Sequence, residues 1–169
     1  FDARSGEHLV AAIDLRGRFQ EPYAYWNAST GTPAERLRGD LEVLPALAEA
    51  GLARAGKDIS MAGVIGTALM LLECSAKGAV IDLEAIPCPP GVDFQRWLSA
   101  FPSYGFLLSV ADDDLPEVLA RFAARGIAAA SIGRIDDSRQ LDLCWHGQRL
   151  PFWNLAEEAL IGCGPRREA

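Results

Sequence analysis

The sequence predicts an α/β (α+β) domain, one mixed sheet flanked by helices. Two apolar runs, residues 8–14 (HLVAAID) and 104–111 (YGFLLSVA), have the length of buried strands. A third segment, 78–86 (GAVIDLEAI), alternates Val80, Asp82 and Glu84 against Ile81, Leu83 and Ala85, as a half-buried strand does. Helical patterns fall between these strands along the chain, which points to one helix-covered sheet.

The elements follow in order. After the first strand, residues 15–32 (LRGRFQEPYAYWNASTGT) are aromatic and polar without a period, a long loop of the kind that carries function or moves. Thr32 as N-cap, Pro33 at the first helical position and Glu35 in the first turn start a helix. Leu37, Leu41, Leu44 and Ala48 continue it at helical spacing. Pro45 lacks an N–H, so two short helices or a kink are expected. Residues 64–74 form a helix that is apolar nearly all round, hence buried on most faces. Glu73, its only charge, is expected at a solvated or salt-bridged end.

A turn at 88–91 (CPPG) leads to a short amphipathic helix over 93–100, with Phe94, Trp97 and Leu98 on one side. Acids 112–114 precede a helix carrying Val118, Leu119, Phe122 and Ala123. Arg121 and Arg125 near its end suit the helix dipole. Residues 127–135 and 141–146 read as two further strands, joined by a turn at 136–138.

At 169 residues the chain is a single domain, 1–169, long enough to bury a core. Half of it is hydrophobic and 23% charged, the balance of an ordered soluble globule. It begins with Phe1 and a polar segment, which we read as a chain whose upstream part is absent. The longest nearly uncharged run, 59–76, contains Glu73 and glycines, so neither a membrane span nor a secretory leader is expected. A net charge of −7 and a pI near 4.8 leave no basic nucleic-acid surface, the arginines being scattered apart from the tail 165–169 (PRREA). Cys74, Cys88, Cys144 and Cys163 form no CxxC pair, and only His8 and His146 stand by to help bind zinc. Four reduced thiols in a cytoplasmic protein are expected.

The stretch most open to chemistry is 57–71, KDISMAGVIGTALML. Asp58 and Ser60 stand before the apolar helix, and Gly63 and Gly66 leave its first turn free of bulk. Spacing alone leaves two readings. Asp or Ser is an ordinary cap of a closely packed helix, or the helix start faces an anion such as phosphate. The lysine–serine pair of a phosphate loop is missing. Asp112, Asp113 and Asp114 are either a metal site or helix-start compensation, the latter favoured. Cys144-Trp145-His146 reads as a strand turning Cys inward and His outward. Tyr23, Tyr25, Trp26 and Asn27 either stack on a ligand or anchor their own loop.

Taken in order, EHLVAAIDLRG, KDISMAGVIGTALMLLE, GAVIDLEAIP, YGFLLSV and GIAAASIGRI resemble the C-terminal domain of the aminoimidazole ribonucleotide synthetase (AIR synthase-related) superfamily. Thiamine monophosphate kinase and selenophosphate synthetase are other members. The resemblance covers about residues 6–147. It implies a partly ferredoxin-like fold, and an N-terminal domain absent here that builds the dimer and supplies most metal-binding acids. ATP would lie between the two domains and, with Mg2+, support phosphoryl transfer or amide and carbonyl activation.

The family's Asp-x-Ser/Thr element falls on Asp58 and Ser60, and its following glycine on Gly63. The resemblance therefore implies that Asp58, Ser60 and Gly63 face the ATP phosphates or Mg2+, with Asp58 as the metal ligand. It assigns no catalytic residue. Two departures stand out: Met61-Ala62 adds bulk at the phosphate-facing turn, and 14–17 (DLRG) replaces a glycine-rich loop. Expected partners are a nucleotide, a small-molecule substrate and the N-terminal domain, with room for a homodimer. The alternative is a degenerate, non-catalytic regulatory or interaction module of the same fold.

Overall fold

The computed structural model describes residues 2–164; the tail 165–169 lies outside them. Its main sheet contains β1 (His8–Ile13), β4 (Ala55–Asp58), β5 (Gly78–Asp82), β7 (Gly105–Val110), β8 (Ala128–Asp136), β9 (Gln140–Trp145) and β10 (Gln148–Asn154). The strand order is β10-β9-β5-β8-β1-β7-β4. The sheet is mixed: β5 and β9 run parallel and the other neighbours antiparallel. A small second sheet, order β2-β3-β6, joins β2 (Arg18–Phe19), β3 (Tyr25–Asn27) and β6 (Phe101–Pro102).

Helices cover both faces of the main sheet. On one face Leu9, Ala11 and Ile13 of β1 meet Ala68, Leu71 and Leu72 of α3 (Gly63–Ser75) and Trp97 of α4 (Phe94–Leu98). On the other, Val10 and Ala12 meet Val43 and Leu47 of α2 (Val43–Glu49), and Val118 and Phe122 of α5 (Leu115–Ala123). β1 therefore has no polar face, which is why its sequence runs apolar without alternation. The all-round apolarity of α3 has the same cause, for both Leu71 and Leu72 are fully buried.

The expected break near Pro45 is present. α1 (Ala34–Leu41) and α2 meet at Glu42, and Pro45 sits in the first turn of α2, where an N–H has no helical partner to lose. Thr32 does not cap α1. Its hydroxyl donates to the Ala28 carbonyl at 2.9 Å, and Pro33 holds the N-cap position. The strand expected over 78–86 stops at Asp82, whose carboxylate accepts from Glu84 N and turns Leu83–Ala85 into a 3-10 helix.

Glu73 departs from the sequence expectation. It is 5% exposed and has no salt bridge among the described residues, and its carboxylate accepts backbone N–H bonds from Leu160 (2.8 Å), Ile161 (3.1 Å) and Gly162 (3.2 Å). Three charge-assisted bonds offset the cost of burying the charge and fasten the 160–162 segment to the end of α3. Glu73→Gln should speed amide exchange at Leu160, Ile161 and Gly162 by about tenfold and lower stability by roughly 1–3 kcal/mol. Hydrogen-exchange NMR with urea titration measures both, and unchanged protection would exclude the carboxylate as anchor.

Candidate functional site

Two loops converge at one end of the main sheet. Asp14 N bonds the Tyr104 carbonyl at 3.0 Å, and Ile59 N bonds the Gly105 carbonyl at 2.8 Å. They flank β7 on opposite sides, so 14–17 and 58–63 emerge two strand spacings apart, about 10 Å.

The first loop brings Asp58, Ser60 and Gly63 to the start of α3. Asp58 ends β4 opposite Phe106, its side chain 63% exposed and paired with Lys57. It opens onto a groove of about 470 Å3 whose walls include Leu44, Leu47, Lys57, Phe106 and Leu108. Ser60 is half-buried; its N–H donates to Thr67 Oγ1 at 3.2 Å and its carbonyl accepts from Gly63 N at 2.8 Å. Its hydroxyl has no bonded partner among the described residues.

Neither Asp58 nor Ser60 caps the helix, because Ala62 is the N-cap and supplies no side-chain bond. Gly63 has φ +66°, and a Cβ there would sit 2.1 Å from the Leu98 carbonyl oxygen, so only glycine fits. Met61 is 79% exposed. Its bulk stands in solvent instead of packing across the turn.

The second loop holds an ion cluster that sequence reasoning missed. Asp14 and Asp40 are 3% and 2% exposed. Arg16 reaches Asp14 through Nε (2.7 Å) and Nη2 (3.1 Å), and Asp40 through Nη2 (3.1 Å). Arg36 bonds Asp14 at 2.8 Å, and Arg125 bonds Asp40 at 2.9 Å. Burial pushes the Asp14 carboxyl upward, but the bonds from Arg16 and Arg36 outweigh it and hold the group below its ordinary range. Asp14 in turn raises Arg16. The Trp26 indole donates to the Asp14 carbonyl at 3.0 Å, and the Tyr104 hydroxyl to the Asp40 carbonyl at 2.9 Å. Burial first, then the Asp40 and Asp14 charges, push the Tyr104 hydroxyl well above its usual value. The one available signal was an acid ending an apolar strand, with an arginine two residues on.

The remaining candidates separate. Trp26 is buried and edge-on to Phe19 and Trp97, so this member of the aromatic group anchors its loop, whereas Tyr23 is 64% exposed. Asp112 pairs with Arg134 and with His8 Nε2 (2.8 Å), and Asp114 takes the N-cap of α5 without a side-chain bond. No cluster of three metal-ligating side chains occurs among the described residues. Cys144 is half-buried, while His146 is exposed in a turn and paired with Glu84 at 3.1 Å. All four cysteines are free thiols. No helix among the described residues is long and apolar enough to cross a membrane.

A mixed sheet with helices on both faces, and two loops leaving it at one end, defines the class as an α/β domain. The chain belongs to the family described as AIR synthase related protein, C-terminal domain, which matches residues 18–146. Among curated proteins it is 46% identical over 164 residues to the uncharacterized protein sll0787 of Synechocystis sp., covering 96% of this chain and 51% of that protein. It is 29% identical over 163 residues to the uncharacterized protein MJ0640 of Methanocaldococcus jannaschii, covering 96% of this chain and 50% of that one. The chain thus spans about half the length of these relatives.

Its fold matches phosphoribosylformylglycinamidine synthase II of Thermotoga maritima, with TM-score 0.73, 15% identity and coverage of 89% and 26% of the two chains. The same bacterium's PurL complexed with ATP matches at TM-score 0.69 and 12% identity, covering 88% and 25%. HypE of E. coli, a hydrogenase maturation protein, matches at 0.63 and 18%, covering 89% and 50%.

Asp14→Asn should cost roughly 2–4 kcal/mol at pH 7, because it strips a carboxylate from a cluster of three arginines. Since the native Asp14 value is lowered, its stabilisation is present above the unfolded value near 3.9 and is lost as pH falls through the folded value. Urea titrations should therefore show the gap between wild type and Asp14→Asn narrowing below about pH 4. A gap independent of pH would assign the loss to packing.

Proposed function

We propose that this chain is the ATP-binding C-terminal part of an AIR synthase-related enzyme, with Asp58, Ser60 and Gly63 facing the nucleotide phosphates. The supporting observation is the match of 88% of the chain to a PurL structure solved with ATP, the same protein also having been solved with ADP and AMPPCP. The helix start fits that use. α3 begins without a side-chain cap, the Ser60 hydroxyl is unengaged, and Gly63 adds no side chain to the turn.

In this reading the unengaged N–H groups of the first turn and the Ser60 hydroxyl would hold phosphate oxygens, and Asp58 would offer one carboxylate oxygen to Mg2+. The bound magnesium nucleotide supplies the phosphoryl group, and the residues here orient and neutralise it. Magnesium takes six oxygen ligands, and one exposed carboxylate meets only a fraction of that need. The other acids, the acceptor site and the dimer contacts are assigned to an N-terminal domain. Four free thiols fit a reducing compartment, the cytoplasm.

A second reading, a non-catalytic regulatory or interaction module, draws support from the Lys57 ammonium that already neutralises Asp58. Calorimetry and 15N NMR with Mg-ATP separate the two. The test uses this chain alone and joined to the remaining half of a parent chain as long as its relatives. Shifts over residues 58–67, and affinity lowered about tenfold by Asp58→Ala with Ser60→Ala, are expected. No response in the joined protein, or an unaltered affinity in the double variant, would leave the module reading.

A further inference from the structure

Past the end of β1, and independent of the α3 start, lies a polar cleft of about 360 Å3 whose walls include Arg16, Gly17, Arg18, Asn27, Thr30 and Thr32. No carboxylate among the described residues lines it, although the chain carries a net charge of −7. Arg16 in its wall, with Arg36 and Arg125, faces the two carboxylates of Asp14 and Asp40, so that this cluster carries one positive charge over. Arg18 adds another, being exposed and without an ion pair among the described residues.

The cleft is also built to hold its shape. Asp14, Asp40 and the Arg125 carbonyl, 3.0 Å from Nη1, fix the Arg16 guanidinium. Gly17 closes tightly on the next strand, for a Cβ there would lie 2.7 Å from both the Asn27 carbonyl oxygen and Trp26 Nε1. β2 pairs Arg18 with Asn27. The Asn27 side chain accepts from the N–H groups of Ser29 (3.2 Å) and Thr30 (3.0 Å) and donates to Thr30 Oγ1 at 2.9 Å. That last bond uses Thr30 Oγ1 as an acceptor, so its hydroxyl proton is left to donate outward.

We infer that this cleft binds an oxyanion, the phosphate or carboxylate group of a small molecule, with Arg18 as its free charged donor. Arg16 supplies fixed positive charge and Thr30 a hydroxyl donor. A set of donors around a planar guanidinium, with no carboxylate facing inward, selects an oxyanion over a cation. The site lies at the same sheet end as α3, where it would hold the anionic group of a second ligand. Binding itself does not rest on the nucleotide reading.

The test titrates the 15N-labelled chain with inorganic phosphate and with acetate at constant ionic strength set by sodium chloride. Saturable shifts of Gly17, Arg18 and the amides of 27–32 are expected. Arg18→Gln should weaken them about tenfold, and Arg18→Lys should retain part of the affinity. The melting temperature of Arg18→Gln should be unchanged, since Arg18 is exposed and has no ion pair among the described residues. Tighter phosphate binding identifies a phosphate ligand and tighter acetate binding a carboxylate; either supports the site. Absence of saturable shifts with both anions, or shifts untouched by Arg18→Gln, overturns it. Mg-ATP shifts over 58–67 in the same samples report separately on the nucleotide site, so either reading can fail while the other stands.

Discussion

The rest of the structure depends on the burial of β1. From Leu9 to Ile13 no residue of this strand is more than 1% exposed, because α3 covers one face of the sheet and α2 with α5 the other. A strand closed on both faces can carry polar side chains only where it leaves the sheet. Both exits hold a buried acid. At the start, Glu7 is 6% exposed, bonded to Ser109 and paired with Arg54 at 2.7 Å. At the end, Asp14 is held by Arg16 and Arg36.

These acids direct the chain as well as satisfying it. A buried carboxylate without a partner is costly, whereas one matched by guanidinium groups and N–H donors is tolerated. Asp14 and Asp40 draw arginines from the β1 loop, from α1 and from the residues just after α5 into one cluster. That cluster fixes the start of the long loop, and Trp26, bonded to the Asp14 carbonyl, fixes its middle. The loop consequently has structure where its sequence shows no period. β2 and β3 pair, and β6 joins them in a small sheet.

What was legible in the sequence divides along the same lines. Features governed by local pattern were readable: the apolar strands, the two short helices around Pro45, the buried α3 and the amphipathic α4 with Trp97 inward. The family resemblance carried on those segments also held. Features that depend on distant partners were not. Glu73 looked like a solvated charge because its partners are backbone amides 87 to 89 residues later. The Asp40–Arg125 pair spans 85 residues and leaves no periodic trace. β10 contains Pro151 and exposed apolar side chains, so it lacks alternation. It survives as a strand because it lies at the sheet edge, where a missing N–H is tolerated.

The candidate site shows how far a fold can carry chemistry. A shared fold at under 25% identity fixes where loops emerge, but the side chains on those loops decide what binds. Gly63 is accounted for by packing alone, since the Leu98 carbonyl would strike any larger residue. Its presence would follow even in a domain that binds nothing. Ser60 is different: its hydroxyl serves no fold contact among the described residues, so folding gives no reason for it. Asp58 stands between the two, exposed yet paired with Lys57. The proposed binding roles therefore rest most heavily on Ser60, and on Arg18 in the cleft, whose charge likewise meets no ion-pair partner among the described residues.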